Sequence, residues 1–207
     1  VGRTGRVYSF EPIPFTARTF RLIGRALRFL DNVELVNKGC GEKAGRVEFT
    51  VPVQDGGAIS AGLVHMVGRH DARPGKDKHA AFEKTKNVEC EVVTLDEFLP
   101  HVERVSLVKC DIEGADLYAM RGARRLLEKH KPVVIIEITP WFLEGFGLSV
   151  GDVYGFFEEL GYACYRYDDG GRLIPTPASE IVEDNWVFVH PENASRVLGI
   201  LPGRRPA

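Results

Sequence analysis

Nowhere in this chain do apolar residues run for the roughly 20 positions that a helix needs to cross a bilayer, so the sequence holds no helical membrane span. An excess of one charge is missing too. Lys and Arg number 27 against 29 Asp and Glu, a net charge of −2. No global basic field draws such a chain to nucleic acid or to an anionic membrane, and neither is expected as a partner. Arg121, Arg124 and Arg125 form a local basic cluster, which on a helix reads as a solvated face. Cysteine is scarce: Cys40, Cys90, Cys110 and Cys164 are the four present. They show no CxxC spacing and no His at zinc-ligand spacing, which argues against a structural zinc site. They read as reduced thiols, with Cys110 in a buried strand, and the expected location is cytoplasmic. No internal repeat is present and no signal peptide is visible in the residues from Val1, which is not a start methionine.

What is present is an ordinary globular composition, 44% apolar and 27% charged over 207 residues. That suffices for one α/β domain with a sizeable core and is short for two. "RVYSF" (6–10) reads as a strand stopped by Glu11-Pro12. Pro14 suits the first turn of a helix, where its missing N–H costs nothing. Phe15, Ala17, Phe20, Ile23, Ala26, Leu27 and Leu30 then recur at helical spacing. "NVELVNKG" supplies the next strand, so strand–helix–strand implies a parallel pair.

The pattern then changes. "AGRVEFTVPV" alternates as a strand, "GGAISAGLVHM" offers a partner, and "VECEVVT" gives a third from Val88. Residues 68–87 are polar and weakly periodic, and read as a mobile loop or short helix. Thr94 with Glu97 three residues on marks a helix start. After that come "VSLVKCD", a helix over "ADLYAMRGARRLLEKH", the buried strand "PVVIIEI", and a helix from about Val150 to Gly161. "YACYRYD" and "NWVFVHP" suggest an antiparallel hairpin at the sheet edge. The fold class expected is α/β: a Rossmann-like, mostly parallel sheet with helices on both faces, an antiparallel edge hairpin, and an inserted β segment around 45–95.

Two strand ends carry acids. Glu11 ends the first strand just before a helix, where a Rossmann-like sheet bonds a ribose diol; an exposed strand-end glutamate is the plain alternative. "LVKCDIEGAD" places Asp111, Glu113 and Asp116 at the end of a short apolar run.

With this order of elements, "VYSFEP", "TLDEFL", "VSLVKCDIEGADLYAMRGA" and "PVVIIEI" resemble the FkbM-type class I methyltransferases, which use S-adenosylmethionine. The resemblance covers most of residues 6–140 and rests chiefly on "KCDIEGAD" followed by "RGA". It implies that Glu11 binds the cofactor ribose and that the turn holding Asn37, Gly39 and Cys40 lies at the adenine edge. It places Asp111 beside the methyl group, with Glu113 and Glu137 as further acids near the reacting centre. It also implies an O-methyltransferase acting on a hydroxyl of a small molecule, sugar or polyketide. Such enzymes begin with a strand and a D-x-G-x-x-x-G loop. Gly2 and Gly5 stand too close to the ribose-binding strand to form it. The expectation is therefore a single methyltransferase-like domain over 1–207 that lacks its first strand, glycine-rich loop and most of its first helix, and binds cofactor poorly as it stands.

Methyl transfer from a sulfonium is an in-line displacement, and an alcohol must lose its proton as it attacks. Asp111 is the candidate base or orienting group; its alternative role is to cap the helix that begins near Gly114. A cluster of Asp111, Glu113 and Glu137 would raise its members' pKa values unless a proton, Lys109 or a metal relieves it. Mg²⁺ with oxygen ligands would fit but is not favoured, because no His joins the acids at a fixed spacing. His65 is a second candidate base on a strand, and its alternative is simple packing. His70 and His79 lie in the irregular region over 54–87, which as a loop region is expected to select the acceptor. Trp141 suits either a pocket wall or packing. Two rival functions fit less of the pattern: a non-catalytic binding or assembly module, and a nicotinamide-dependent dehydrogenase.

Overall fold

Parallel pairing of two short strands opens the fold. In the computed structural model, which describes residues 1–2, 4–27, 32–53, 64–68, 84–168, 170–182 and 184–198, β1 (Val7–Phe10) runs beside β2 (Val33–Val36), with Val7 opposite Val33 and Phe10 opposite Val36. Helix α1 (Pro14–Leu27) joins them and starts on the proline, as its fixed φ favours. Its apolar residues are at helical spacing, yet Phe15, Leu22, Ile23 and Leu27 are exposed and only Ala17 and Gly24 are buried.

The inserted segment is a second sheet, of β3 (Gly39–Cys40), β4 (Gly45–Val53), β5 (His65–Met66) and β6 (Lys84–Val93), in the order β3-β6-β4-β5. Strand β6 pairs antiparallel with β4 along its whole length, from Gly45↔Val92 to Val53↔Lys84. This corrects the reading of 68–87 as loop or helix at its far end: Lys84–Asn87 are strand, held by backbone pairing although their side chains are polar. Positions 69–83, with His70 and His79, lie outside the described residues, as do 54–63 and Leu30.

A five-stranded sheet carries the main core. Its strands are β7 (Leu107–Cys110), β8 (Val133–Ile138), β9 (Ala163–Tyr167), β10 (Leu173–Pro175) and β11 (Asp184–Val189), in the order β10-β9-β11-β8-β7. Strands β7 and β8 are parallel, and the remaining pairs are antiparallel. The terminal strands β9 and β11 do pair antiparallel, but the loop between them holds β10, which takes the edge instead. The protein is thus a mixed α/β fold.

The helices after α1 are α2 (Leu95–Phe98), α3 (Asp116–Arg121), α4 (Arg124–His130), α5 (Pro140–Gly145), α6 (Val150–Glu159) and α7 (Pro191–Leu198). Thr94 caps α2 by accepting from Glu97 N at 3.2 Å. Ser149 and Asp152 form a reciprocal capping box on α6. The single helix expected over 115–130 is instead two, α3 and α4. The break falls at Gly122, where an added Cβ would lie 2.0 Å from the Gly41 carbonyl oxygen. Only a residue without a side chain lets these backbones approach so closely.

Alternation along β8 sorts its side chains to two faces. Val134, Ile136 and Ile138 enter the larger core with Leu117, Met120, Leu127 and Phe157. Val133 and Ile135 turn the other way, toward Ala194 and Val197 of α7. Phe157 stacks on Phe188 of β11 with ring centroids 4.1 Å apart. Burying each such side chain stabilises the fold by roughly 1.5–3 kcal/mol. The arginines stay outside this core and face carboxylates: Arg121 meets Glu42, Arg124 meets Glu128 and Glu159, and Arg125 meets Asp96.

Candidate active site

The acids gather where β7 and β8 end together. Cys110 lies opposite Ile136 in the parallel ladder, so one step further Asp111 comes beside Glu137. Both project from the face opposite the larger core, because Cys110 and Ile136 are the buried members of the alternation. Lys109 shares that face, and its Nζ lies 2.6 Å from Asp111 Oδ2. The cation that relieves Asp111 is therefore the lysine two residues before it.

Glu137 is relieved differently. Burial, then the negative charges of Asp111, Glu113 and Asp116, push its carboxyl up to about 7, and its proton is shared with Asp111 through a side-chain hydrogen bond. Its Oε2 and the hydroxyl Oγ1 of Thr139, two residues on, are buried with no hydrogen-bond partner among the described residues. Leaving a buried carboxylate oxygen unpaired costs free energy, and holding a proton lowers that cost. No group of three or more His, Cys, Asp or Glu among the described residues is arranged to hold a metal ion.

Asp111 does not cap a helix. The N-cap position of α3 is Ala115, with no side-chain cap bond. Between Asp111 and α3 the chain makes a tight turn in which Glu113 and Gly114 both have positive φ, 59° and 94°. Glu113 is half-buried, and its charge reaches Glu137. The glycine is required here, since a Cβ on Gly114 would lie 2.7 Å from Phe142 Cβ. That contact seats the turn against α5, the helix after β8. Its start is marked in the sequence by Thr139-Pro140. Trp141 sits in the same helix, edge-on to Phe142.

At the other strand pair, Glu11 follows β1 and its Oε1 accepts from Ile13 N at 2.8 Å. Burial raises its pKa above the ordinary carboxylate value, partly offset by that bond. One such bond leaves carboxylate lone pairs for a ligand hydroxyl. Asn37 spends its amide on the backbone, donating to the carbonyls of Glu11 and Pro12 at 2.8 and 3.0 Å. Asn37 thus ties the turn after β2 to the end of β1, and brings two of the expected cofactor residues together. Gly39 is buried, with Val92 and Pro12 close to where its Cβ would be. The Cys40 thiol, pushed up to about 12 by burial, packs on the larger core near Cys110.

His65 stands apart from the acids, in β5 of the four-stranded sheet opposite Thr50. The next residues, Met66 and Val67, line a cleft of about 510 Å³ with Tyr118, Glu144 and Phe146. The inserted sheet therefore shares a cleft with the helices that follow the acidic strand ends.

The spacing of the acids gives Asp116 no role of its own. It is 1% exposed and accepts from Ile112 N at 3.3 Å and Gly114 N at 3.1 Å. Two of its partners are main-chain groups, which leave no mark in the sequence; the third is the Cys110 thiol.

A family model described as Methyltransferase FkbM domain matches residues 1–164. Among solved structures, the chain is similar to the crystal structure of Methyltransferase FkbM from Methylobacillus flagellatus KT. Identity is 16%, the TM-score is 0.50, and the match covers 89% of this chain and 36% of that one. At that identity the likeness speaks for the fold alone. No curated protein matches this chain.

Proposed function

The chain belongs to the methyltransferase FkbM domain family, and from that premise we propose that it is an S-adenosylmethionine-dependent O-methyltransferase acting on a hydroxyl of a small molecule, sugar or polyketide. The observation that carries the reading is the acid pair at the ends of β7 and β8: one carboxylate held beside a lysine, the other pushed up to about 7 by burial and by its acidic neighbours. An attacking alcohol needs a base within hydrogen-bond reach. Asp111, held by Lys109 at 2.6 Å, accepts that proton. Glu137 donates its own proton to Asp111 and so fixes the orientation of the carboxylate, while Glu113 borders the same centre. His65 is the alternative base from the inserted sheet, whose Met66 and Val67 wall the cleft where an acceptor with an apolar body fits.

When bound, S-adenosylmethionine supplies an electrophilic methyl carbon on a positively charged sulfur. The chain's residues fit this cofactor: Glu11 has lone pairs to receive ribose hydroxyls, and Asn37, Gly39 and Cys40 border the adenine. In this reading the parallel pair β1 and β2 belongs with the parallel pair β7 and β8 to one Rossmann-like unit. The free thiols support a cytoplasmic location, and no described helix is long and apolar enough to cross a membrane.

Calorimetry on the full-length protein tests the proposal. S-adenosylmethionine should bind with measurable heat, and Glu11→Ala should weaken it at least ~10-fold, the order of losing a charged hydrogen bond. Absence of binding by the wild type would favour a binding or assembly module instead.

A further inference from the structure

The turn that carries Asp111 and Glu113 is unusual in its backbone. Two successive residues, Glu113 and Gly114, hold positive φ, a conformation that costs a non-glycine residue roughly 1–3 kcal/mol and persists only where its surroundings enforce it. From outside, α5 presses on the turn, with the Phe142 backbone 2.8 Å from where a Gly114 Cβ would be. From inside, the turn is held by one side chain. The two carboxylate oxygens of Asp116 each take a different amide, Oδ1 from Ile112 and Oδ2 from Gly114, so the carboxylate spans the turn. It also accepts from the Cys110 thiol, the last residue of β7. The turn is thereby fastened to the strand on one side and to the first residue of α3 on the other.

We propose that Asp116 is a positioning residue for methyl transfer: from behind the site it sets the 111–114 turn, and through it the placement of Asp111 and Glu113 relative to Glu137. For its catalytic consequence the inference rests on the methyl-transfer reading. The carboxylate is nine-tenths or more buried; it holds the turn through the two amides, and its charge also adds to the field on Glu137. Burial pushes its carboxyl up to about 6, against which the two amides and the thiol stabilise the ionised form. An acid rather than an amide is needed because both oxygens accept.

The test is Asp116→Asn in the full-length protein, where one of the two amide acceptors becomes a donor, compared with Phe157→Leu, which loosens the core away from the turn. Amide hydrogen exchange is read at Ile112 and Gly114, with Leu127 in the core as reference. In Asp116→Asn, protection at Ile112 and Gly114 should fall at least ~10-fold further than at Leu127, and kcat should fall at least ~10-fold with the acceptor KM within ~2-fold. In Phe157→Leu, protection should fall evenly and kcat should hold. Even loss of protection in Asp116→Asn, or local loss with unchanged kcat, overturns the proposal. If Asp116→Asn does not fold, Asp116→Ser, whose hydroxyl accepts from one amide at most, takes its place with the same readouts. A wild type that transfers no methyl overturns the methyl-transfer reading, while the exchange pattern still decides whether Asp116 holds the turn.

Discussion

Lys109 and Asp111 extend from the same face at the end of β7, and Lys109 Nζ reaches Asp111 Oδ2 at 2.6 Å. Both side chains are partly exposed, so the pair adds little to stability. Its effect is on position: it holds the Asp111 side chain beside two further acids, where a carboxylate can accept a proton in the proposed reaction. Asp111→Asn preserves size and loses that capacity. Turnover should fall by at least ~100-fold, the usual contribution of a general base, with an unchanged circular dichroism spectrum. Wild-type turnover in this variant would remove Asp111 from the role.

Glu137 gives a stability prediction with a definite sign. Its carboxyl rises from 4.5 to about 7 in the folded protein. Between those values the folded state holds a proton that the unfolded state has released, so the wild type loses stability as pH rises from about 4.5 to 7. Glu137→Gln resembles the protonated form at every pH. The variant and wild type should unfold at similar urea concentrations near pH 4.5, and the variant should be the more resistant by pH 8. A constant difference across that range would show that Glu137 is not held protonated.

Gly114 sets a steric limit on the site. With φ at 94° and the Phe142 backbone 2.8 Å from a prospective Cβ, Gly114→Ala adds left-handed strain to a clash with main chain. The cost should be at least about 2 kcal/mol, measured by urea unfolding. A loss below about 0.5 kcal/mol would mean that the turn and α5 separate readily.

Much of the fold was legible because its signals are local. Pro14 with helical spacing marks α1, Thr94 with Glu97 marks α2, and the apolar run of 133–138 marks β8. What escaped depends on contacts between distant segments. Gly122 looks tolerable inside a helix until Gly41 is seen against it. Lys84–Asn87 look like loop because a polar strand leaves no alternation to read, and β4 alone specifies it. The candidate site divides in the same way. Asp111, Glu113 and Glu137 could be grouped because both strand ends are recognisable, whereas Asp116 binds two amides and the Cys110 thiol, contacts that only the folded turn brings about. The burial that raises Glu137 is a property of the assembled face.

The meeting of Gly41 and Gly122 has a mechanical consequence. Gly41 follows the turn assigned to the adenine edge, and its N–H is bonded to Val93. Gly122 closes the helix that begins at Asp116, and its carbonyl is bonded to Asp96 N. Where the two touch there is only main chain, with no side chain that can change rotamer to absorb a displacement. The turn after β2 and the acid-bearing turn therefore share a stiff joint, so a displacement on one side is passed to the other rather than taken up between them.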